Sequence, residues 1–218
     1  MSANTPTAAN EPMFNARGLQ DARIPPEADI QKSLMQQADE TFAQWMDSRV
    51  ARFATRRYDW DALKFQADYD PKYRRAQMRY MGTGGTGVAT DANTIAAAHF
   101  TFSTMVIPAG HEGPSHIHYD VEEVFFMLRG TMKVICKKDD QRWESVLKER
   151  DFISVPPGVY REEINLGDED ALMCVMLGSP QPITPVYPPD SPLAKIKREL
   201  IKRELIKREL IKRELLKR

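Results

Sequence analysis

The sequence predicts a mainly β domain, a sandwich or barrel, with a helical extension before it and a helical tail after it. Three observations carry this. Between residues 96 and 178, short apolar runs rich in β-branched and aromatic residues recur at even intervals, separated by glycine, proline and acidic turn signals. Residues 26–57 place Leu34, Ala38, Phe42 and Trp45 or Met46 at helical spacing. The chain from Ile196 repeats a five-residue unit that contains neither glycine nor proline.

Composition bounds the rest. With 218 residues, 42% hydrophobic and 28% charged, the chain is long enough to bury a core and is not wholly disordered or collagen-like. No apolar run approaches the roughly 20 residues of a membrane-spanning helix. The opening MSANTPTAANEP lacks the basic start and apolar core of a signal peptide. Cys136 and Cys174 each sit in an apolar run, which suggests buried thiols and a cytoplasmic location. The net charge of zero divides into +6 for residues 196–218 and −6 for the remainder. The acidic body shows no basic stripe with interleaved aromatics, so nucleic acid is not expected as a partner.

In chain order, residues 1–27 read as a flexible arm, rich in Pro, Ala, Asn and Thr. A helical or mixed extension, 28–95, follows. In it a helix is expected from about Pro26 to Arg57, DWDAL opens a short helix, YDPKY turns, and Ala76–Met81 is a candidate strand. GTGGTG, at 82–87, lacks the GKS or GKT ending of a phosphate loop. The β-barrel is expected over 96–180, from the runs AAAHFTFSTMVI, EEVFFML, TMKVIC, WESVL, DFISV, VYREEIN and ALMCVML. Its turn signals are PAGHEGP, RG, KKDDQ, KERD, PPG and LGDED. His99 reads as a strand histidine without a ligand role, and Phe125, Met127, Met132, Val134, Val175 and Met176 read as packing. The proline-rich segment 181–195 should lie extended across the body.

The tail, 196–218, is a repetitive charged helix in which IKREL occurs four times. Five residues advance a helix by about 140° net, so the Leu-Ile pairs wander around it and form no heptad seam. Glu199, Glu204 and Glu209 each precede an arginine by four residues, the favourable order for helical ion pairs. The tail is expected to be solvated and dispensable for the barrel.

The chemistry concentrates in Gly110–Gly130. His116 and His118, at i and i+2, would share one face of a strand. Glu123 opens the next strand, where a carboxylate completes a two-histidine, one-carboxylate set with positions left open. This stretch resembles the first motif of the cupin superfamily, G(X)5HXH(X)3–4E(X)6G, at Gly110, His116, His118, Glu123 and Gly130. The superfamily's second motif, G(X)5PXG(X)2H(X)3N, falls on RDFISVPPGVYREEIN: Pro156, Gly158 and Asn165 agree. Arg150 stands at the leading glycine and Arg161 at the last metal-binding histidine.

The resemblance implies a cupin double-stranded β-helix, jelly-roll-like and usually dimeric, holding one divalent metal on His116, His118 and Glu123. Iron leads among the candidates, with Mn, Zn, Ni or Cu as alternatives. Three readings of Arg161 remain open, because an arginine stays protonated and cannot ligate. Either it holds an anionic substrate beside a three-ligand metal, or His111 or Glu163 replaces the missing ligand, or it pairs with Glu123 or Glu163 with no metal bound. Arg161 and Glu163 are the candidate catalytic residues. The implied function is a metal-dependent enzyme acting on a small, anionic organic substrate, with dioxygenase-type oxidoreductase chemistry leading. A metal-dependent isomerase, lyase or decarboxylase, and a non-catalytic small-molecule-binding cupin, are the alternatives. A homodimer is expected, with no membrane span.

Overall fold

The computed structural model describes residues 34–83 and 93–215. Two antiparallel sheets face each other. The strands are β1 (Ala76–Met81), β2 (Thr101–Ile107), β3 (Glu112–His116), β4 (Glu123–Arg129), β5 (Met132–Lys138), β6 (Gln141–Leu147), β7 (Phe152–Val155), β8 (Tyr160–Asn165) and β9 (Ala171–Leu177). One sheet runs β1-β2-β9-β4-β7 and the other β3-β8-β5-β6. This is the jelly-roll arrangement expected from the sequence.

Period-two patterning explains the layers. In β9 every second residue from Ala171 to Leu177 is buried, and in β4 Glu123, Phe125 and Met127 point inward. Met105, Ile107, Phe125, Met127, Met132, Val134, Met173 and Val175 fill the space between the sheets. Each buried side chain of this size contributes about 1.5–3 kcal/mol. Gly130 turns β4 into β5 at φ +92°, and a Cβ there would lie 3.0 Å from both Ala171 Cα and Cβ. Only glycine meets both demands. Arg150, at the leading glycine of the second motif, keeps a left-handed backbone at φ +70° without being glycine.

Several expectations need correction. Within the helix expected over 26–57, the described residues show a helical Leu34, the short helix α1 (Phe42–Ser48) and a 3-10 turn at Phe53–Thr55, with non-helical chain between them. A capping box explains the start of α1: Thr41 Oγ1 accepts from the Gln44 N–H (3.3 Å) and Gln44 Oε1 accepts from the Thr41 N–H (2.9 Å). Its apolar residues do not form a core-facing stripe, since Phe42 is 66% exposed. The first barrel run begins at Thr101, so His99 is exposed and outside a strand. Part of PAGHEGP, read as a turn, is the start of β3.

The short helix after DWDAL is α2 (Lys64–Tyr69), and YDPKY closes in a 3-10 turn at Pro71–Tyr73. β1 occupies the residues expected, but it is an edge strand of the five-stranded sheet, so that sheet draws on the segment before residue 96. The arm 1–27 and most of GTGGTG lie outside the described residues.

The proline-rich segment does lie extended on the body, as expected, bridging Ile117 to Val186. The tail helix, α3 (Pro192–Leu215), begins before the repeat. Ser191 Oγ accepts from the Ala194 N–H at 3.1 Å, and Pro192 follows that cap. Leu193 and Ala194 are buried with Tyr187, and Ile196 packs against them. The first turn of the tail is therefore a packed element. Beyond it Leu205, Ile206, Leu210 and Ile211 are exposed, as the wandering pattern predicts. No described helix is long and apolar enough to cross a membrane.

Candidate metal centre

The end of β3, the start of β4 and the proline-rich segment build the site. Ile117 exchanges backbone hydrogen bonds with Val186 (2.8 and 2.9 Å), which carries the chain past His116 and turns His118 to the same side. The imidazole rings meet edge to face with centroids 5.7 Å apart. Glu123 is paired to Leu177 on one side and Val155 on the other, so its inward direction is set by two neighbouring strands. His116, His118 and Glu123 are all buried, and their candidate ligand atoms lie within 4.8 Å of one another. Among the described residues this is the one such cluster of histidine, cysteine and carboxylate side chains.

Hydrogen bonds set the tautomers. His116 Nδ1 lies 2.9 Å from the Pro114 carbonyl and His118 Nδ1 3.2 Å from the Ile183 carbonyl. A carbonyl only accepts, so each Nδ1 carries the proton and each Nε2 presents a lone pair. Both Nε2 atoms face Glu123 Oε2, at 3.3 and 3.8 Å. Burial is the largest influence on His118 and brings its pKa down to about 4, against the opposing pull of Glu123. For Glu123 burial acts upward, but the fields of His118, His116 and Arg161 outweigh it and hold the carboxyl at about 2. Three buried electron-pair donors thus converge with no proton to share in the neutral tautomers. Such a set fits a divalent cation, with histidines anchored from behind by carbonyls as metal-bound imidazoles usually are.

Arg161 stands in β8 directly opposite His116 in β3. It is fully buried, with Nε 3.5 Å from Glu123 Oε2 and one terminal nitrogen donating to the Pro156 carbonyl at 3.3 Å and the Val155 carbonyl at 3.5 Å. Its Nε and Nη1 make no well-formed hydrogen bond. Of the anions that the sequence left open for Arg161, Glu123 is the one within ion-pair distance among the described residues.

Glu163, two residues on, faces a neighbouring cavity, where burial raises its pKa against the fields of His116 and two arginines. His111 is not in the cluster; its Nδ1 bonds the Ala109 carbonyl at 3.0 Å. Asn165, the motif asparagine, braces the fold: its amide donates to the Ile107, Pro108 and Glu169 carbonyls and its oxygen accepts from the Gly167 N–H.

The cavity, about 40 Å³ in volume, is lined by His116, His118, Glu123 and Glu163. Its apolar lining includes Met105, Phe125, Met173 and Val175. Leu63, Gln66, Arg75 and Gln77 close it from the segment before the barrel, and Pro185 from the segment after it. Sequence reading missed these. A signal was present for Arg75 and Gln77: polar residues at period two around β1, buried alongside Ala76 and Met78.

A family model described as a cupin domain matches residues 103–177. Among solved structures, the fold is similar to that of peruvianin-I, a cysteine peptidase from Thevetia peruviana latex. The TM-score is 0.50 with 14% identity, over 68% of this chain and 80% of that one. An oxalate oxidase in complex with the substrate analogue glycolate aligns at TM-score 0.45 and 18% identity, over 53% of this chain. That alignment spans 55% of the oxalate oxidase's own length. Bacillus subtilis oxalate decarboxylase, with Mn(II) centres, aligns at TM-score 0.43 and 13% identity over 52% of this chain and 28% of that one. At such identities the likeness is one of fold. No curated protein matches the chain in sequence.

Proposed function

Because residues 103–177 match the family model of a cupin domain, we propose that the chain is a metal-dependent enzyme acting on a small organic molecule, with non-haem iron dioxygenase-type chemistry as the leading reaction class. The observation that carries this reading is the convergence of His116 Nε2, His118 Nε2 and Glu123 Oε2 beside a cavity with apolar walls. An ion held by these three, iron in the leading case and Mn, Zn, Ni or Cu otherwise, would supply a Lewis acid with open positions and, for iron, one-electron chemistry toward dioxygen.

The chain's own residues do the rest. The two imidazoles give neutral donors, and Glu123 offsets one positive charge. Arg161 touches Glu123 and is a positioning residue. Met105, Phe125, Met173 and Val175 exclude water. Glu163 holds or takes a proton on the cavity wall. This last feature favours a second reading, proton-transfer chemistry of the isomerase, lyase or decarboxylase kind, since a carboxyl raised by burial is suited to it.

The test is elemental analysis of the purified full chain and of His116→Ala, followed by oxygen-electrode measurements of the Fe(II)-loaded protein with a panel of small organic acids and neutral analogues. About one metal per chain, lost in the variant, and substrate-dependent oxygen uptake are expected. Turnover without oxygen uptake would select the second reading, and saturable ligand binding without turnover a non-catalytic cupin. A protein that takes up no divalent metal would overturn all three.

The proposal includes a homodimer, supported by the exposed Phe42, Met46 and Phe53 before the barrel. It also includes a cytoplasmic location, supported by the free thiols Cys136 and Cys174. Light scattering on the full chain tests the first.

A further inference from the structure

Two buried ionisable side chains, Arg75 and Glu163, face the cavity within each other's field but without a direct ion pair. Arg75 is 5% exposed, lines the cavity, and donates through Nη1 to Gln66 Oε1 at 2.6 Å and to the Tyr73 carbonyl at 3.4 Å. Its Nε has no partner, and no described carboxylate forms an ion pair with it. Glu163 is 2% exposed and lines the same cavity; its Oε1 is also unpartnered. Its other oxygen is held over Gly113, where a Cβ would lie only 2.0 Å from Oε2. An arginine keeps its charge at any working pH, so a buried one needs an anion. Arg161 has found Glu123. Arg75 hydrogen-bonds only to neutral acceptors, and the carboxyls of Glu163 and Glu123 act on it through space without an ion-pair contact.

We propose that Arg75 is the receptor for the carboxylate of a small organic acid, and that it selects such acids over neutral analogues in this cavity. The inference rests on the reading of the cavity as a substrate site given above, and moves anion recognition from Arg161 to Arg75.

The support behind Arg75 fits a binding role. Gln66 holds one end of the guanidinium and donates to the Tyr187 hydroxyl. Tyr187 is itself buried beneath Leu193 and Ala194 at the start of α3, with Lys197 Nζ 5.8 Å from its ring centre. The guanidinium is thus fixed from behind by segments on both sides of the barrel, while its Nε keeps an unused donor. The volume limits the ligand. A water needs about 10–15 Å³, so about 40 Å³ admits roughly three water-sized groups, the size of a short acid.

The test uses acetate and its neutral isostere acetamide as probes on the full-length protein, metal-free and Mn(II)-loaded, with binding followed by NMR and metal content measured separately. The metal-free protein is expected to bind acetate at least about tenfold more tightly than acetamide. Arg75→Gln should lose about tenfold or more in acetate affinity with its Mn(II) content unchanged. Arg75→Lys, which keeps the charge but not the fork, should lose several-fold. If Arg75→Gln does not fold, the wild-type preference and the lysine variant still decide the matter. Equal binding of acetate and acetamide, or wild-type acetate affinity in Arg75→Gln or Arg75→Lys, would overturn the inference. A protein that takes no Mn(II) yet prefers acetate through Arg75 would refute the metal reading and leave this one standing.

Discussion

Replacing Arg161 by methionine removes a positive charge from the back of the candidate metal centre while keeping a long apolar side chain. Arg161 Nε lies 3.5 Å from Glu123 Oε2, so part of the carboxylate's field is already spent on the guanidinium. Two unit charges about 4 Å apart interact by about 4 kcal/mol at the effective dielectric of such sites. An incoming cation competes for that attraction and is also repelled by the guanidinium. If half of the term is recovered, Arg161→Met should bind Mn(II) about 2 kcal/mol more tightly, roughly 30-fold.

The metal-free fold should respond in the opposite direction. Breaking a buried pair costs about 3–5 kcal/mol. Arg161, however, buries Nε and Nη1 without good partners, and each such donor costs about 1–3 kcal/mol. The net destabilisation should be a few kcal/mol at most. Competition against a fluorescent chelator measures the affinity, and melting with and without Mn(II) measures the two stabilities. Arg161→Lys is the control that keeps the charge and should gain nothing. Unchanged Mn(II) affinity in Arg161→Met would refute the idea that this cation opposes the metal. Arg161→His, which also offers an imidazole, should gain more than methionine.

Other expectations follow from single features. Arg150→Gly should stabilise the fold by about 1 kcal/mol in urea titrations, because Arg150 holds φ +70° where glycine carries no Cβ strain. Gly113→Ala should displace the Glu163 carboxyl and lower the melting temperature, since the new methyl would lie 2.0 Å from Oε2 and Glu163 is enclosed; an unchanged melting point would show that the side chain has room to move. Truncation after Ile201 should leave melting nearly unchanged, whereas truncation after Leu193 removes Ala194 and Ile196 from the Tyr187 cluster and should cost about 2 kcal/mol, a drop of about 4–8 °C. Burial lowers Lys197 from 10.5 to about 8. Between those values the unfolded chain holds the proton and the folded one releases it, so stability should rise with pH from about 8 to 10.5. Lys197→Met should flatten that slope in denaturant titrations, and a slope of equal size in the variant would assign it to another group.

The parts of this protein legible in the sequence are those written within a few neighbouring residues. β9 was expected over the residues it occupies, because alternation along one strand declares its buried face without reference to any partner. His116, His118 and Glu123 lie within eight residues of each other, so a short motif sufficed to single them out as a group. The exposed outer tail was foreseen from its five-residue period alone. Among the described residues of 26–57 the expected helix is not continuous, because helical spacing describes a face that needs something to cover it, and Phe42 and Met46 stay in solvent.

Packing decided the rest. The tertiary structure brings Arg75, Gln66 and Pro185 to one cavity from either side of the barrel sequence. No local pattern encodes which distant segments will meet. Arg161 shows this most simply. Strand period placed it on the inner face with Glu163 and Asn165, but sharing a face does not choose a partner. That choice came from the register of β3, β8 and β4, which leaves Glu123 3.5 Å from the guanidinium and gives Glu163 to the cavity that Arg75 lines. Likewise Ile196 and Lys197 belong to the same repeat as their exposed counterparts, and only the nearness of Tyr187 draws them half-buried against the body. Identical residues acquire different roles because burial depends on what the chain brings alongside them.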